Sequence, residues 1–390
     1  MSYPITNIAD LQALAKRRVP KMFYDYADSG SWTESTYRAN EEDFQKIKLR
    51  QRVAVDMRDR TLASTMVDIP VAMPVALAPT GLTGMQHADG EILAARAAAK
   101  AGVPFTLSTM SICSIEDVAQ NSSAPFWFQL YVMRDLEFSN GLIDRAKKAG
   151  CSALVVTLDL QILGQRHKDI KNYLGTMPWA TPRNAFDLMK KLPWALKMAR
   201  TKHHDFGNIV GHAKGVDNVK SLSAWTASQF DPALDWDAVK RIKDRWGGKL
   251  ILKGILDEED AETAVESGAD ALIVSNHGGR QLDGALSSIS MLPRIVREVG
   301  DKIEVHMDGG IRSGQDVIKA RALGARGTYI GRAFLYGLGA NGEQGVTDAL
   351  DIIRKELDLT MAFCGLRDIE KVDGNIIAVN PFDPAPKNWA

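Results

Sequence analysis

The chain is poor in cysteine. Three thiols, Cys113, Cys151 and Cys364, stand in 390 residues, and no two of them form a C-x-x-C pair. That spacing speaks against a disulfide framework and a zinc ribbon, and a reducing, intracellular setting is expected. An excess of charge is also missing, since 48 Lys+Arg meet 48 Asp+Glu. A balanced chain is not built mainly to grip nucleic acid. Long apolar runs are absent too: the stretch over residues 69–79 is broken by Pro70 and Pro74 and is too short to span a bilayer. The first 22 residues hold no apolar core of signal-peptide length. The seven histidines show no H-E-x-x-H spacing, so no metal site is expected. No G-x-G-x-x-G follows an N-terminal strand, which removes support for a Rossmann nicotinamide site.

What the chain does have is a recurring phrase. Ala99-Lys-Ala-Gly102, Ala146-Lys-Lys-Ala-Gly150, Ala264-Val-Glu-Ser-Gly268 and Arg321-Ala-Leu-Gly324 each precede a short run rich in β-branched or apolar residues. Each reads as a helix, a glycine stop and then a strand buried on both faces. Eight such strands are predicted, at 75–79, 104–108, 126–131, 153–158, 249–253, 271–275, 303–308 and 327–331. The pattern predicts an α/β fold, a (β/α)8 TIM barrel, with a doubly wound open sheet as the runner-up. Residues 1–70 form a helical lead-in or lid and residues 71–375 the barrel. Residues 160–235 are inserted after the fourth strand, and 376–390 form a tail.

The strands end in polar residues: Pro79-Thr80-Gly81, Ser108, Gln129 and Tyr131, Thr157 and Asp159, Lys253, Ser275-Asn276-His277, Asp308, and Gly331-Arg332. A barrel gathers all these ends at one mouth, its usual active-site face. Asp308-Gly309-Gly310-Ile311-Arg312 and Gly331-Arg332 offer glycine N–H groups and guanidinium forks after the seventh and eighth strands, where barrels hold phosphate. His277 is a candidate general base, Arg280 a bidentate partner for a carboxylate, and Asp159 the group that orients the imidazole.

The segment Ser275-Asn-His-Gly-Gly-Arg-Gln-Leu-Asp283 resembles the signature of the FMN-dependent 2-hydroxy acid oxidases and dehydrogenases. The likeness runs through Tyr24-Asp-Tyr26, Phe128-Gln-Leu-Tyr131, Lys253-Gly and the two phosphate loops, and is strongest to the membrane-associated dehydrogenase branch, that of bacterial L-lactate and mandelate dehydrogenases. It implies FMN held by Pro79, Thr80, Gly81, Ser108, Gln129, Thr157, Lys253 and Ser275 around the ring. Asp308, Gly309, Gly310, Arg312, Gly331 and Arg332 would hold the phosphoribityl tail. It implies His277, Asp159, Tyr131 and Lys253 as catalytic residues, with Tyr26, Tyr131, Arg166, His277 and Arg280 binding the substrate.

The implied reaction is oxidation of an L-2-hydroxy acid, with L-lactate first, to the 2-oxo acid, electrons passing to a quinone or other acceptor. Use of O2 by an oxidase, or action on mandelate, are the alternatives. Gly81 stands where oxidases commonly carry Ala, and Met110 where glycolate oxidases carry Trp. Gly81, Met110, Leu160 and Ile162 outline a modest apolar pocket. A homotetramer is expected from the resemblance. The insertion interleaves Arg183, Lys190, Lys191, Lys197, Arg200 and Lys202 with Phe186, Leu192, Trp194 and Leu196. That composition suits a segment over 178–205 lying on the cytoplasmic side of the inner membrane as a peripheral contact, or a loop covering the mouth or a neighbouring subunit.

Overall fold

The computed structural model describes residues 4–174, 181–213 and 229–382. Parts of the insertion (175–180 and 214–228) and of the tail (383–390) lie outside the described residues. Eight parallel strands form the sheet: Val75–Leu77, Thr106–Ser108, Trp127–Leu130, Ala153–Thr157, Lys249–Ile255, Ala271–Val274, Glu304–Asp308 and Gly327–Ile330. From the second strand to the eighth each pairs with its sequence neighbour, and the last pairs with the first. A bridge between Leu77 and Phe105 closes the ring, giving the expected (β/α)8 barrel rather than an open sheet.

Alternation along the strands separates two cores. Ala76, Ala78, Trp127, Ala153, Val155, Ile251, Ala271, Ile273 and Tyr329 pack together inside the barrel. Leu77, Phe128, Leu154, Val156, Leu250, Leu252, Leu272 and Val274 face the surrounding helices. Because side chains alternate with period two, the next inward positions are Gln129, Thr157, Lys253 and Ser275, each buried at the mouth. The barrel interior is thus apolar below and polar at its upper rim.

The lead-in is only partly helical. Helices Ile8–Arg18, Lys21–Ala27 and Ser35–Lys46 pack beside the mouth. A hairpin of Ser64–Met66 and Ile69–Val71 then enters the apolar layer below, with Met66 fully buried against the inner core. Its turn places both Val67 and Asp68 at positive φ, 52° and 61°. The tail is also not free, since Ile377–Val379 pairs antiparallel with Lys48–Leu49.

In the insertion, the basic run forms helices Pro182–Lys190 and Leu192–Arg200, separated at Lys191 with Pro193 in the first turn of the second. Proline is tolerated there because the first-turn N–H groups have no intrahelical partner. Asp187 accepts from the Lys21 N–H at 2.6 Å, and the Trp194 indole donates to the Met85 carbonyl at 3.0 Å and packs on Phe23. The opposite face leaves Phe186, Met189, Leu192 and Leu196 exposed.

Candidate active site

The strand ends surround a cavity of about 1010 Å³ lined by Tyr26, Pro79, Thr80, Gly81, Tyr131, Arg166, Lys253, His277, Arg280, the Asp308–Arg312 loop, Gly331 and Arg332. Most of the residues expected at the site therefore meet in one space. Ser108, Gln129, Thr157, Asp159 and Ser275 do not line it but stand around and beneath it as buried or half-buried groups. Ile162 is exposed and does not reach the cavity, whereas its neighbour Leu163 does. Phe206 and Phe230, from the insertion, also line the cavity, and no motif pointed to them.

His277 stands on the cavity wall. Its backbone has φ 59°, followed by Gly278 at 66° and Gly279 at 72°. A left-handed histidine is uncommon and is tolerated where the surroundings fix it. Its Nδ1 is 2.8 Å from Asp159 Oδ1, and its Nε2 is 3.5 Å from the Tyr131 hydroxyl. Burial raises the Asp159 carboxyl, but His277 and Lys253 together bring it below its ordinary value. An ionised Asp159 can only accept, so Nδ1 carries the proton and Nε2 is left basic. Burial holds the His277 imidazole below the ordinary histidine range, with Asp159 opposing.

Lys253 is buried, donates to Ser275 Oγ at 2.9 Å and pairs with Asp308 Oδ2 at 3.1 Å. Burial lowers its proton affinity, but Asp308 and Asp159 raise it above the ordinary lysine value. A fixed cation therefore sits at the rim. Arg280 and Arg166 lie 4.7 Å and 5.8 Å from the Tyr26 ring centre. Burial and the neighbouring Arg166 push Arg280 down to about 10. Asp169 pairs with Arg166 at 2.6 Å, so one carboxylate faces two guanidiniums beside the cavity, and the remaining positive charge favours a further anion there.

Whether these residues fit a flavin is tested by what they leave unpaired. Gln129 Nε2, Thr157 Oγ1 and Asp308 Oδ1 are buried without a hydrogen-bond partner. Ser108 Oγ donates to Gln129 Oε1 at 3.0 Å, which turns the amide nitrogen outward as a free donor. A planar heterocycle with acceptors along one edge and a hydroxylated chain would satisfy all three atoms, so the rim fits FMN. The glycines fit for a different reason. A Cβ on Gly310 would lie 1.8 Å from the Asn40 carbonyl, so this loop needs glycine to admit the lead-in helix as well as any phosphate. Arg312 binds Glu41 at 2.7 Å, and Arg332 spends three N–H groups on the carbonyls of Ala27, Gly278 and Ser29.

Among the described residues, one group of metal-type ligands, Asp89, Cys113 and His203, comes together outside the mouth. His203 Nδ1 lies only 2.6 Å from Asp89 Oδ1, a direct hydrogen bond and closer than the roughly 3.3 Å between two ligands on one tetrahedral zinc.

A barrel with a basic histidine, a buried lysine and unpaired donor and acceptor atoms that fit a flavin defines a flavin-dependent oxidoreductase. Residues 15–379 match the model of the FMN-dependent dehydrogenase family, and the chain belongs to that family. It is 44% identical over 375 residues to an L-lactate dehydrogenase of Caulobacter vibrioides strain NA1000/CB15N, covering 96% of this chain and 98% of that one. The structure of a monotopic membrane protein, (S)-mandelate dehydrogenase, is 35% identical and superposes with a TM-score of 0.92, covering 96% of this chain and 100% of that one. A mandelate oxidase solved with (S)-4-hydroxymandelic acid is also 35% identical, with a TM-score of 0.81 and coverage of 94% and 96%. The protein is an FMN-dependent enzyme that oxidises a 2-hydroxy acid.

Proposed function

We propose that the protein oxidises L-lactate to pyruvate and passes the electrons to a membrane quinone. The observation that carries the reading is the Asp159–His277 pair, whose imidazole lines the same cavity as two guanidiniums. FMN, when bound, supplies the two-electron acceptor. Arg280 and Arg166 hold the substrate carboxylate, and Tyr26 and Tyr131 bond the carboxylate or the 2-hydroxyl. His277 Nε2 takes a proton from the substrate, and Asp159 stabilises the imidazolium that results. Lys253 places a fixed positive charge where negative charge collects on reduction. Asp308, the glycine loops, Arg312 and Arg332 hold the phosphoribityl end.

Gly81, where oxidases of the family commonly carry Ala, supports a dehydrogenase over an oxidase, and a Cβ there would be crowded by the Tyr26 hydroxyl at 3.0 Å and Met110 Cβ at 3.1 Å. The small apolar surroundings of Met110 and Leu160 suit a methyl side chain, and the identity to L-lactate dehydrogenases points the same way. We further infer a peripheral contact of the insertion with the cytoplasmic face of the inner membrane, in a homotetramer. Among the described residues no helix is long and apolar enough to cross a membrane. The exposed Phe186, Met189, Leu192 and Leu196, set among lysines and arginines, suit the headgroup plane instead.

The test is anaerobic flavin bleaching by L-lactate, D-lactate, glycolate and L-mandelate, followed by reoxidation with a soluble quinone or with O2. Bleaching by L-lactate first and reoxidation by quinone first is the expected result. Faster bleaching by mandelate, or faster reoxidation by O2, would replace this reading with one of the alternatives.

A further inference from the structure

The left-handed turn that presents His277 is held from outside the barrel. Helix Ser35–Lys46 of the lead-in has no side-chain cap of its own, because Glu34 at its N-cap makes no capping bond. The cap comes from Asp283, at the far end of the catalytic loop. Its Oδ1 accepts from the Thr36 N–H at 3.0 Å and the Ser35 hydroxyl at 2.7 Å, and its Oδ2 from the Thr33 N–H at 2.9 Å. A carboxylate at a helix N-terminus satisfies orphan donors and meets the positive end of the helix dipole.

One turn further along the same helix, Asn40 and Asn276 exchange two amide bonds, of 2.9 Å and 2.8 Å, and both side chains are buried. Asn276 Oδ1 also accepts from the Gly279 N–H at 3.0 Å, which closes the turn around His277 and Gly278. The Gly279 carbonyl in turn accepts from Ser31 at 2.9 Å. A Cβ on Gly279 would lie 2.4 Å from the Tyr37 nitrogen, so lead-in and turn touch backbone to backbone.

We propose that Asp283 and Asn40 are positioning residues that lock the His277 turn against the lead-in helix and so hold the imidazole on Asp159. The proposal rests on the reading of His277 as the base. A strained histidine persists only where its surroundings over-determine it, and these bonds are the surroundings. Four titratable or charged groups face the imidazole: Asp159, Lys253 and Arg280 by charge, and the Tyr131 hydroxyl by contact. Burial is the strongest influence on it, ahead of Asp159. Loosening the turn admits water, and the base moves back up toward the ordinary histidine value.

The experiment compares Asp283→Ala, Asp283→Asn, Asn40→Ala, the exposed control Glu42→Ala on the same helix, and His277→Ala, all as flavin-loaded protein. The readouts are the limiting rate of flavin reduction by L-lactate under anaerobic conditions and its pH profile. Asp283→Ala and Asn40→Ala are expected to slow reduction about tenfold, a fraction of the ~10²–10⁴-fold that losing a general base costs. The acid limb of the profile should move to higher pH, and Asp283→Asn, which keeps an acceptor oxygen, should recover part of the rate. Asp283 is half-exposed, so its variants keep the test decisive even if Asn40→Ala fails to fold. Wild-type rate and pH limb in both Asp283 variants, with His277→Ala inactive, would overturn the clamp alone. Normal reduction by His277→Ala would instead overturn the reading of the base.

Discussion

Two stretches differ in what they present: one lines the mouth, and the other packs behind Phe23 and Met85, which line it. The turn over residues 275–283 is bonded on every side: Ser275 to Lys253, Asn276 to Asn40, His277 to Asp159 and Asp283 to the lead-in helix. The helices at 182–200 are held on one face through Asn184, Asp187, Lys191, Trp194 and Lys197, and turn a row of apolar side chains outward on the other. The first arrangement suits chemistry, where a displacement of the base by even 1 Å is costly. The second suits a surface whose partner is fluid and needs no fixed geometry. Their difference sets the proposed catalytic wall against the proposed contact wall, and each prediction below perturbs one and leaves the other alone.

The largest effect belongs to the rigid wall. His277→Ala should keep its bound flavin yet be reduced by L-lactate about 10²–10⁴-fold more slowly, since no other group replaces the base. Stopped-flow bleaching checks this. The pH dependence follows from the same residue. Burial depresses the imidazole, so the neutral base persists to lower pH than for a free histidine. Reduction should be constant above the ordinary histidine value near 6.5 and fall only on the acid side of it, as protonation removes the base. A rate that declines already as pH falls below 8 would contradict the depression.

The next effect is on the carboxylate. Arg280 is half-buried with Arg166 beside it, and because Arg166 already pairs with Asp169 at 2.6 Å, an uncharged analogue leaves Arg280 in particular without an anion. Lactate methyl ester should bleach the flavin about 10–100-fold less efficiently than lactate, the loss of a charge-assisted hydrogen bond. Equal efficiency would show that the guanidiniums serve only the carbonyls of Tyr26 and Ser29, which Arg280 also binds.

Much of the rigid wall was legible because period two leaves a trace in sequence. Trp127 and Gln129, Val155 and Thr157, Ile251 and Lys253, Ile273 and Ser275 are successive inward positions, and the change from apolar to polar marks the catalytic end of each strand. The glycines at 278, 279, 309 and 310 were legible for the same reason, since only they permit those backbones. Contacts to main chain leave no such trace. That Arg332 clamps the carbonyls of Ala27, Gly278 and Ser29 depends on where the lead-in passes, not on any residue type there. Ile162 and Leu163 differ only in how an irregular loop rotates them. The hairpin beneath the barrel turns on Val67 and Asp68, and although aspartate is common in such turns, a β-branched valine at positive φ beside it with no glycine gave no clear turn signal.

The smallest effect tests the contact wall by splitting it into its two faces. Leu192 and Leu196 are exposed, while Trp194 between them is half-buried, donates to Met85 and packs on Phe23. If the segment lies on a bilayer, the exposed pair enters the headgroup region and the tryptophan serves only to moor the helix. Leu192→Ser with Leu196→Ser should then weaken flotation with anionic vesicles about tenfold, because two apolar side chains lose their burial. The melting temperature and the rate of flavin reduction by L-lactate should stay unchanged, since neither residue touches the barrel. Trp194→Ala should do the reverse at first order, costing about 1–3 kcal/mol of stability through lost packing and an unpaired carbonyl. Raised salt should release the wild-type protein from the vesicles in part, as the lysines and arginines are screened. If the double serine variant instead changes oligomeric state and binds vesicles as before, the apolar row is a contact between subunits and the membrane is met elsewhere.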